Sequence, residues 1–508
     1  MKRSGSLLRA TMAVSLIAVV SKLLGFIRQT LIASYYGATA ETDVYFFAER
    51  MPSTLLSAIC SSISTAFVAI YVKRMAEEGT DAGDRYASRI LRASLLLGLL
   101  LTVLGILFSP LVVMILAPGF SSVQVELAIV LTRVMMSSFF LIMASAMLGA
   151  ILQSKRSFIR SQLGTLFYNA VIILLTALFG RGQGMMFLTL VTILGLLGQA
   201  TGLALCCRGR FTYTKGMALT HSDIHQIVHL SFPVLLGNSV IHLNTLVDNA
   251  LCSILPSGSL SALAYAHTLN AFVTSIFINT FTLVIYPTLT STAAERDDYE
   301  YGRSLSRALR TVTLLLVPIS SITLLCAEDI VRAVYAHGSF DRTAVEYTAL
   351  ALSSYAPYYL FAGIREVLIK GFFAVQDTKT PMWNSSTGVG CNILFSLIFV
   401  RRFGIVGIAL GTTVSSFVAA VLLIRSAHNK IPSLRMISFF RSFGKQLIAG
   451  ASMVTVLCFF RHSVTISSGF VSFVTAIVVG LSVYFPVILL LDRREVKCIL
   501  ESLLRKNG

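Results

Sequence analysis

Long apolar runs separated by short polar connections dominate the chain. Runs of about 20 apolar residues, the length that crosses a bilayer as a helix, recur about fourteen times. Their approximate limits are 10–35, 43–72, 93–116, 124–152, 158–180, 184–207, 226–254, 260–290, 308–327, 343–374, 381–400, 404–424, 438–460 and 466–491. None of the connections is long enough to hold a folded soluble domain. The pattern predicts an all-α polytopic membrane protein with about 14 transmembrane helices.

Composition agrees with this prediction. Of the 508 residues, 55% are hydrophobic and 13% are charged, and the mean hydropathy is +0.79. A soluble domain carries roughly 25% charged residues, so half of the expected charge is missing. This excludes soluble multidomain enzymes, disordered chains and disulfide scaffolds.

The net charge of +18 is distributed between alternate connections. On a soluble chain such an excess would suggest nucleic-acid binding, but here most Lys and Arg residues collect on one side of the predicted spans. The opposite connections hold few basic residues, namely Arg181, Arg332, Arg342, Arg401, Arg402 and Arg461. The positive-inside rule then places both termini in the cytoplasm, which requires an even number of spans. We expect contact with membrane lipid and no nucleic-acid partner.

Motifs for enzymatic chemistry are absent from the sequence. The eight cysteines include no C-x-x-C pair, so they are interpreted as small packing residues without metal or disulfide. There is no Walker loop, no H-E-x-x-H and no nucleophile elbow. We therefore predict no catalytic residue, no bound metal and no organic cofactor.

Charged residues inside the first two spans are the most informative feature. Lys22 and Arg28 lie six residues apart, about 9 Å along a helix and roughly 120° around it. Asp43 and Arg50 are seven residues apart and share one face of the second span. Pro52 follows and is expected to interrupt that helix. Charges are expensive in hydrocarbon, so these side chains are expected to face a cavity or a partner.

Two interpretations of this cluster remain open. In the first, the cations form the wall of a water-filled cavity that binds a diphosphate head group, Arg28 through its guanidinium fork and Lys22 as a point charge. In the second, Lys22 and Arg28 pair with Asp43 and Glu49 and only hold helices together. Three cations, with Arg50, face two carboxylates, so one cation would be left over.

Two further groups of in-span charges need an account. Asp248 lies in mid-span one turn after Asn244, and is either a proton or cation site or a hydrogen-bonded core acid. In the cluster around Arg365, Glu366 and Lys370 have the i,i+4 spacing of an ion pair. Arg365 would then be the unpaired cation, and we count it with the candidate substrate residues.

Several segments of the sequence resemble a known family. The stretch SKLLGFIRQTLIASYYGATAETDVYFFAERMP is similar to the opening signature of the MurJ (MviN) lipid II flippases, which belong to the multidrug/oligosaccharidyl-lipid/polysaccharide exporter superfamily. Further similar segments follow in the same order: LAPGF at 116–120, GAILQSKRSF at 149–158, LPSGSLSALAYAHTL at 255–269, IREVLIKGFFAVQDTKTP at 364–381 and FGIVGIALGTT at 403–413.

The resemblance implies a fold and an activity. It implies two pseudo-symmetric lobes of six helices, at 1–215 and 220–430, and a C-terminal helix pair at 436–508. It also implies a transporter, not an enzyme, which moves undecaprenyl-diphosphate-linked peptidoglycan precursor (lipid II) to the outer leaflet by alternating access. Membrane potential or a Na⁺ or H⁺ gradient would drive it, and cell-wall synthases are conceivable partners.

The resemblance also assigns site residues. Lys22, Arg28 and Asp43 match cavity residues of the family, and Asp248, Asn392 and Thr412 match a sodium site of some relatives. Ser396 replaces the second carboxylate of that site. Gln29 stands where an Asp is common, and Leu56 and Thr268 stand where the family often has Arg.

Three alternatives stay open on these grounds. The missing arginines would suit a flippase for another polyprenyl-linked oligosaccharide. A membrane glycan polymerase or ligase would need acidic or His residues in a sizeable outer loop, and the longest candidate, around Glu328 to Arg342, is short. A drug or cation antiporter of the same superfamily would need an acidic cavity.

Overall fold

The computed structural model describes residues 2–215, 221–295, 297–431, 433–463 and 469–493. All regular secondary structure in these ranges is helical, which confirms the predicted all-α class. The chain divides into two compact units, Met1–Ser261 and Ala262–Gly508. The lobe boundaries implied by the resemblance, at 215–220 and 430–436, differ from this division and stay a prediction.

The described residues of the first unit form eight helices before the start of α9 (Ser259–Val273). They are α1 (Lys2–Tyr36), α2 (Ala40–Glu77), α3 (Thr80–Leu116), α4 (Ser122–Met136), α5 (Phe139–Ser154), α6 (Phe158–Phe179), α7 (Met185–Cys207) and α8 (His221–Ser253). Helix α2 is central, since it packs against α3, α4, α5, α7 and α8, whereas α1 packs on α6. Its buried aromatic residues Phe67 and Tyr71 form a core with Tyr86 of α3 and Ile151 of α5.

The second unit begins within α9. Its elements are α9 (Ser259–Val273), a π-helical segment (Thr274–Asn279), α10 (Thr280–Ala294), α11 (Asp298–Tyr335), α12 (Arg342–Tyr355), α13 (Tyr358–Ala374), α14 (Lys379–Phe403), α15 (Ile405–Lys430), α16 (Met436–Ser463) and α17 (Gly469–Leu491). Helix α11 is the central element and packs against α12, α13, α16 and α17. The second unit has its own buried core, which includes Leu309, Tyr359 and Phe439.

Described helices overlap every one of the predicted spans. Twelve of the described helical segments are long and apolar enough to cross a membrane, counting α4 with α5 and α9 with α10. The other two predicted spans are the broken pair α12 and α13 and the helix α14, which carries a run of polar residues at 384–387. The protein is therefore a multi-pass membrane protein, and the expected number of about 14 is close.

Polar side chains fix several helix starts. Thr39 accepts a hydrogen bond from the backbone N–H of Thr42 at the start of α2, and Ser121 forms a capping box with Gln124 at the start of α4. Pro52 does not interrupt α2 as expected, because the helix continues through it. The hydroxyl of Thr54 donates to the carbonyl of Arg50 at 2.8 Å, which satisfies an acceptor in the turn that contains the proline.

Candidate functional site

A cavity of about 650 Å³ with both apolar and polar lining lies inside the first unit, with walls from α2, α4, α5, α6 and α7. Hydroxyl and amide side chains dominate its polar lining: Ser53, Ser57, Ser61, Ser64, Ser138, Ser145, Gln153, Ser161, Gln162, Thr165, Thr192 and Gln199. Such groups donate and accept hydrogen bonds and suit a ligand rich in hydroxyls, amides or phosphate oxygens. Glu49 is the one charged residue among the described residues that line it.

Four of the lining serines form a stripe on α2 that our sequence analysis missed. Ser53, Ser57, Ser61 and Ser64 recur at helical spacing on one face of the helix. The spacing is readable in the sequence. It went unnoticed because serine carries no charge and does not stand out within an apolar run.

Arg28 lies beside this cavity and is partly buried. Its guanidinium carbon is 5.0 Å from the centroid of the Tyr168 ring, which lines the cavity, an arrangement that attracts the cation to the ring face. Glu49 and Tyr45 of α2 are close enough to interact electrostatically with Arg28. The buried Nε of Arg28 has no hydrogen-bond partner in the described residues, so the guanidinium keeps donor capacity for a ligand.

Helix positions around Arg28 are fixed by hydrogen bonds between neighbours. The hydroxyl groups of Tyr45 and Thr192 lie 2.9 Å apart, which joins α2 to α7. The hydroxyl of Ser21 donates to that of Thr165 at 2.7 Å, which joins α1 to the cavity wall. Lys22, the second predicted cation of α1, has an exposed side chain.

Asp43 has a different environment from the one expected for a cavity residue. It is 4% exposed, and its Oδ2 accepts a hydrogen bond from the backbone N–H of Gly258 at 2.6 Å. Its Oδ1 accepts from the backbone N–H of Ser261 at 2.7 Å and from the hydroxyl of the same residue at 2.6 Å. The carboxylate thus holds the backbone at the start of α9, where a negative charge is favoured.

Arg50 lies on α2 and Asp248 lies on α8, and these two helices pack against each other. The guanidinium of Arg50 donates to Oδ1 of Asn249 at 3.4 Å. The amide of Asn244 donates to Oδ2 of Asp248 at 3.2 Å. Both charged residues are partly buried.

Arg365 in the second unit is paired, in contrast to our expectation. Its guanidinium lies 3.4 Å from the carboxylate of Glu366 and donates to the hydroxyl of Ser416 at 3.5 Å. Lys370, the expected partner of Glu366, lies over the rings of Tyr286 and Phe373 instead. The predicted pair of Glu366 with Lys370 was therefore wrong, because the lysine is attracted to Tyr286, which is distant in sequence, and to Phe373, one turn further along its own helix.

Asn392 and Thr412, two of the predicted ion-coupling residues, lie on the packed helices α14 and α15. The side-chain oxygen of Asn392 accepts a hydrogen bond from the hydroxyl of Ser396 at 3.0 Å, and Thr412 donates to the carbonyl of Ile408 at 3.4 Å. A Cβ on Gly411 would lie 2.4 Å from the Ser396 hydroxyl, so the glycine permits this close approach. These groups supply neutral oxygens, and Ser396 adds no charge.

The positions that depart from the family pattern are occupied by uncharged side chains. Gln29 is 5% exposed and Leu56 is 1% exposed. Thr268 donates its hydroxyl to the carbonyl of Ala264 within its own helix.

The first unit also contains a network of buried ion pairs near the end of α2, which sequence reasoning missed. Asp223 of α8 is 1% exposed and forms ion pairs with Arg74 of α2 at 2.8 Å and Arg89 of α3 at 2.9 Å. Asp84 pairs with Lys155 of α5 at 2.7 Å. No sign of these ion pairs was visible in the sequence, because each of them joins residues that lie far apart along the chain.

Comparison with known proteins identifies the family of this chain. The chain matches the family model described as lipid II flippase MurJ over residues 32–480. It belongs to the MurJ family. A relative from Vibrio cholerae, named probable lipid II flippase MurJ, is 28% identical over 84% of this chain and 83% of its own length.

Solved structures agree on the fold. A structure titled lipid II flippase MurJ, inward closed conformation, aligns with a TM-score of 0.81 at 23% identity, covering 96% of this chain and all of the other. An inward-facing multidrug transporter of the MATE family and MOP superfamily aligns with a TM-score of 0.71 at 15% identity, over 84% of this chain and 99% of its own. The MurJ-type transporter fold implied by the sequence resemblance is thus confirmed.

Proposed function

We propose that this MurJ-family protein transports lipid II from the inner to the outer leaflet of the bacterial cytoplasmic membrane. The observation that carries the proposal is Arg28, a partly buried cation with an unused Nε donor beside a cavity whose wall includes many hydroxyl and amide groups. A guanidinium binds diphosphate oxygens through paired hydrogen bonds, and the hydroxyl and amide lining suits sugar and peptide groups. The names of the family relatives support the same substrate.

The transport mechanism we infer is alternating access. The head group would enter the cavity from the cytoplasmic side while the polyprenyl tail stays in the bilayer, and the two lobes, 1–215 and 220–430, would then expose it outside. The helix pair at 436–508 would guide the tail. The fold shared with a transporter titled inward-facing supports this mechanism.

The driving force we propose is membrane potential or an ion gradient, with Asp248 as the coupling acid. A carboxylate inside an apolar helix, hydrogen-bonded to an amide at 3.2 Å, is a candidate carrier of Na⁺ or H⁺. Asn392 and Thr412, the other two residues matched to the sodium site, offer only neutral oxygens within the second unit, and the Asn392 oxygen already accepts from Ser396. Because only one of the three matched residues is a carboxylate, we favour H⁺ as the coupling ion at Asp248.

Other predicted cations have supporting roles in this proposal. Lys22 is exposed on α1 and would attract the anionic head group toward Arg28. Arg50 and Arg365 already have partners and would contribute only after rearrangement. Asp43 is proposed to act indirectly, by fixing the start of α9.

Complementation of bacteria depleted of their lipid II flippase tests the proposal, with accessibility of lipid II at the outer leaflet as the readout. Wild type should rescue, and Arg28→Ala should lose roughly tenfold or more activity, since one charged contact to the diphosphate is gone. Arg342→Ala is the matched control, because this arginine is exposed and its pair with Glu346 lies at the surface.

All of the proteins compared in this experiment must be equally abundant in the membrane. Arg28→Lys, which keeps the charge without the fork, should retain part of the activity. A wild-type protein that is abundant but fails to rescue would contradict the lipid II assignment.

A second candidate function is supported by the absent arginines. Leu56 and Thr268 give no cation at two positions where the family often has one. A flippase for another polyprenyl-diphosphate oligosaccharide would fit this weaker cationic site. Failure to rescue the lipid II flippase, with rescue of a strain that lacks a different polyprenyl-glycan flippase, would favour it.

A further inference from the structure

The cavity wall carries a negative charge next to the cation proposed to bind the substrate. Glu49 is the one charged residue among the described lining residues, and Tyr168 of α6 lines the same cavity. The guanidinium carbon of Arg28 lies 5.0 Å from the centroid of that Tyr168 ring, so the carboxylate and the cation lie at the same cavity wall. Among the described residues, Arg28 and Glu49 form no ion pair within 4.0 Å. The carboxylate is therefore a neighbour of the guanidinium and not a fixed partner.

A carboxylate at this position is not required to hold the helices together. The hydroxyl contacts of Tyr45 with Thr192 and of Ser21 with Thr165 already join these elements. An ionised group inside a membrane helix is costly, so a purely structural role would be met at lower cost by glutamine, which is nearly the same size. The property of Glu49 that needs an explanation is therefore its negative charge, which acts on Arg28 and on any anion that Arg28 binds.

Glu49 and a bound diphosphate would act on Arg28 in competition. In the empty cavity, Glu49 offsets part of the positive charge of Arg28 and reduces the cost of leaving it partly buried. A diphosphate at Arg28 adds more than one negative charge near Glu49, and like charges in a partly buried site repel. Tight binding and ready release of the head group are thus balanced by this one carboxylate.

We propose that Glu49 is an internal counter-ion that competes with the diphosphate of the transported lipid for Arg28 and so sets how tightly the substrate is held. This inference rests on the function proposed above, since it takes the substrate to be a polyprenyl diphosphate. It assigns Glu49 to affinity and release, a role that neither its charge nor its position in the sequence indicated.

Binding measurements on the purified full-length chain in lipid nanodiscs test the inference. The probes are undecaprenyl diphosphate and the uncharged alcohol undecaprenol, titrated against wild type, Glu49→Gln and Glu49→Asp. Glu49→Gln should bind the diphosphate roughly tenfold more tightly, the effect of removing one repulsive unit charge from a partly solvated site. Its affinity for undecaprenol should be unchanged, and Glu49→Asp, which keeps the charge, should remain near wild type.

Two controls identify the cause of any change in diphosphate affinity. Glu41→Gln removes an exposed carboxylate from the first turn of the same helix and should leave both affinities unchanged. In an Arg28→Gln background, Glu49→Gln should raise the affinity for diphosphate by a clearly smaller factor, because only the direct repulsion between the carboxylate and the diphosphate is then relieved. In cells, tighter holding should slow release, so Glu49→Gln should transport more slowly despite its higher affinity.

The outcomes separate the two proposals. If wild type prefers the diphosphate but Glu49→Gln binds it equally or more weakly, the role of Glu49 is wrong and the proposed substrate class stands. If wild type binds undecaprenol as tightly as the diphosphate, the proposed function fails and this inference fails with it. A gain in diphosphate affinity that is equally large without Arg28 would also overturn the competition for Arg28.

Discussion

Asp43 and Arg28 are both charged residues within apolar helices, but their surroundings differ. Asp43 uses both carboxylate oxygens on the backbone and hydroxyl of residues 258–261, whereas Arg28 keeps an unused Nε. A side chain whose hydrogen-bonding capacity is already used can stabilise the fold but has little left for a ligand. At the residue scale, unused donors and not charge alone distinguish a binding residue from a structural one.

A prediction follows for Asp43. Asp43→Asn places an amide NH₂ opposite the backbone N–H of Gly258 or Ser261, so at least one buried donor loses its acceptor, at a cost of about 3 kcal/mol. The midpoint temperature of unfolding in detergent should fall, while the affinity for undecaprenyl diphosphate in the protein that remains folded should change little. Asp81→Asn, an exposed acid in the first turn of α3, is the control. Unchanged thermal stability with weakened diphosphate binding would show that Asp43 faces the substrate.

The connection between α13 and α14 illustrates the element scale. Helix α13 ends in a reversed turn, with Gln376 at a φ of +62° and the N–H of Asp377 bonded to the carbonyl of Phe372 at 2.9 Å. Asp377 then caps the next helix by accepting from the N–H and hydroxyl of Thr380. Helix α5 ends in the same way, with Arg156 at a φ of +55°. The ends of α5 and α13 thus share one turn geometry.

The ion pair of Asp377 makes the stability of this turn depend on pH. Lys430 at 2.7 Å, followed by the bonds from Thr380, holds the pKa of Asp377 well below the usual 3.8. A carboxyl whose pKa is lowered by folding contributes its full stability above the unfolded pKa and loses it as pH falls toward the folded pKa. We expect Asp377→Asn to unfold at a lower temperature than wild type from about pH 5 to 8, and this difference to shrink below about pH 4.

Thermal unfolding of both proteins across this pH range measures the effect. The difference should be small, because the carboxylate is partly exposed and water screens its pair with Lys430. Lys430→Gln should reproduce most of the loss. A difference that grows as the pH is lowered would contradict the expected direction of the pH dependence.

At the scale of the whole molecule, the sequence was sufficient for the helices and insufficient for their side-chain contacts. Apolar run length alone placed the spans, because a bilayer imposes that length on each helix. Arg28 stood out because a charge in an apolar run is rare. The neighbours Glu49 and Tyr168, and the bonds from Gly258 to Asp43, could not be predicted because packing between distant helices decides them.

Topology is the whole-molecule prediction that the charge pattern makes most directly. Basic residues concentrate on one side of the spans, so the connection between α2 and α3 should be cytoplasmic and that between α6 and α7 external. Glu78 and Gln183 are exposed in these connections. In a background where the exposed Cys458 is replaced by serine, a membrane-impermeant thiol reagent should label Gln183→Cys in intact cells. Glu78→Cys should be labelled only after the membrane is opened, and the reverse pattern would place both termini outside. That result would also overturn the proposed direction of transport, because the side from which the head group is loaded is inferred from this orientation.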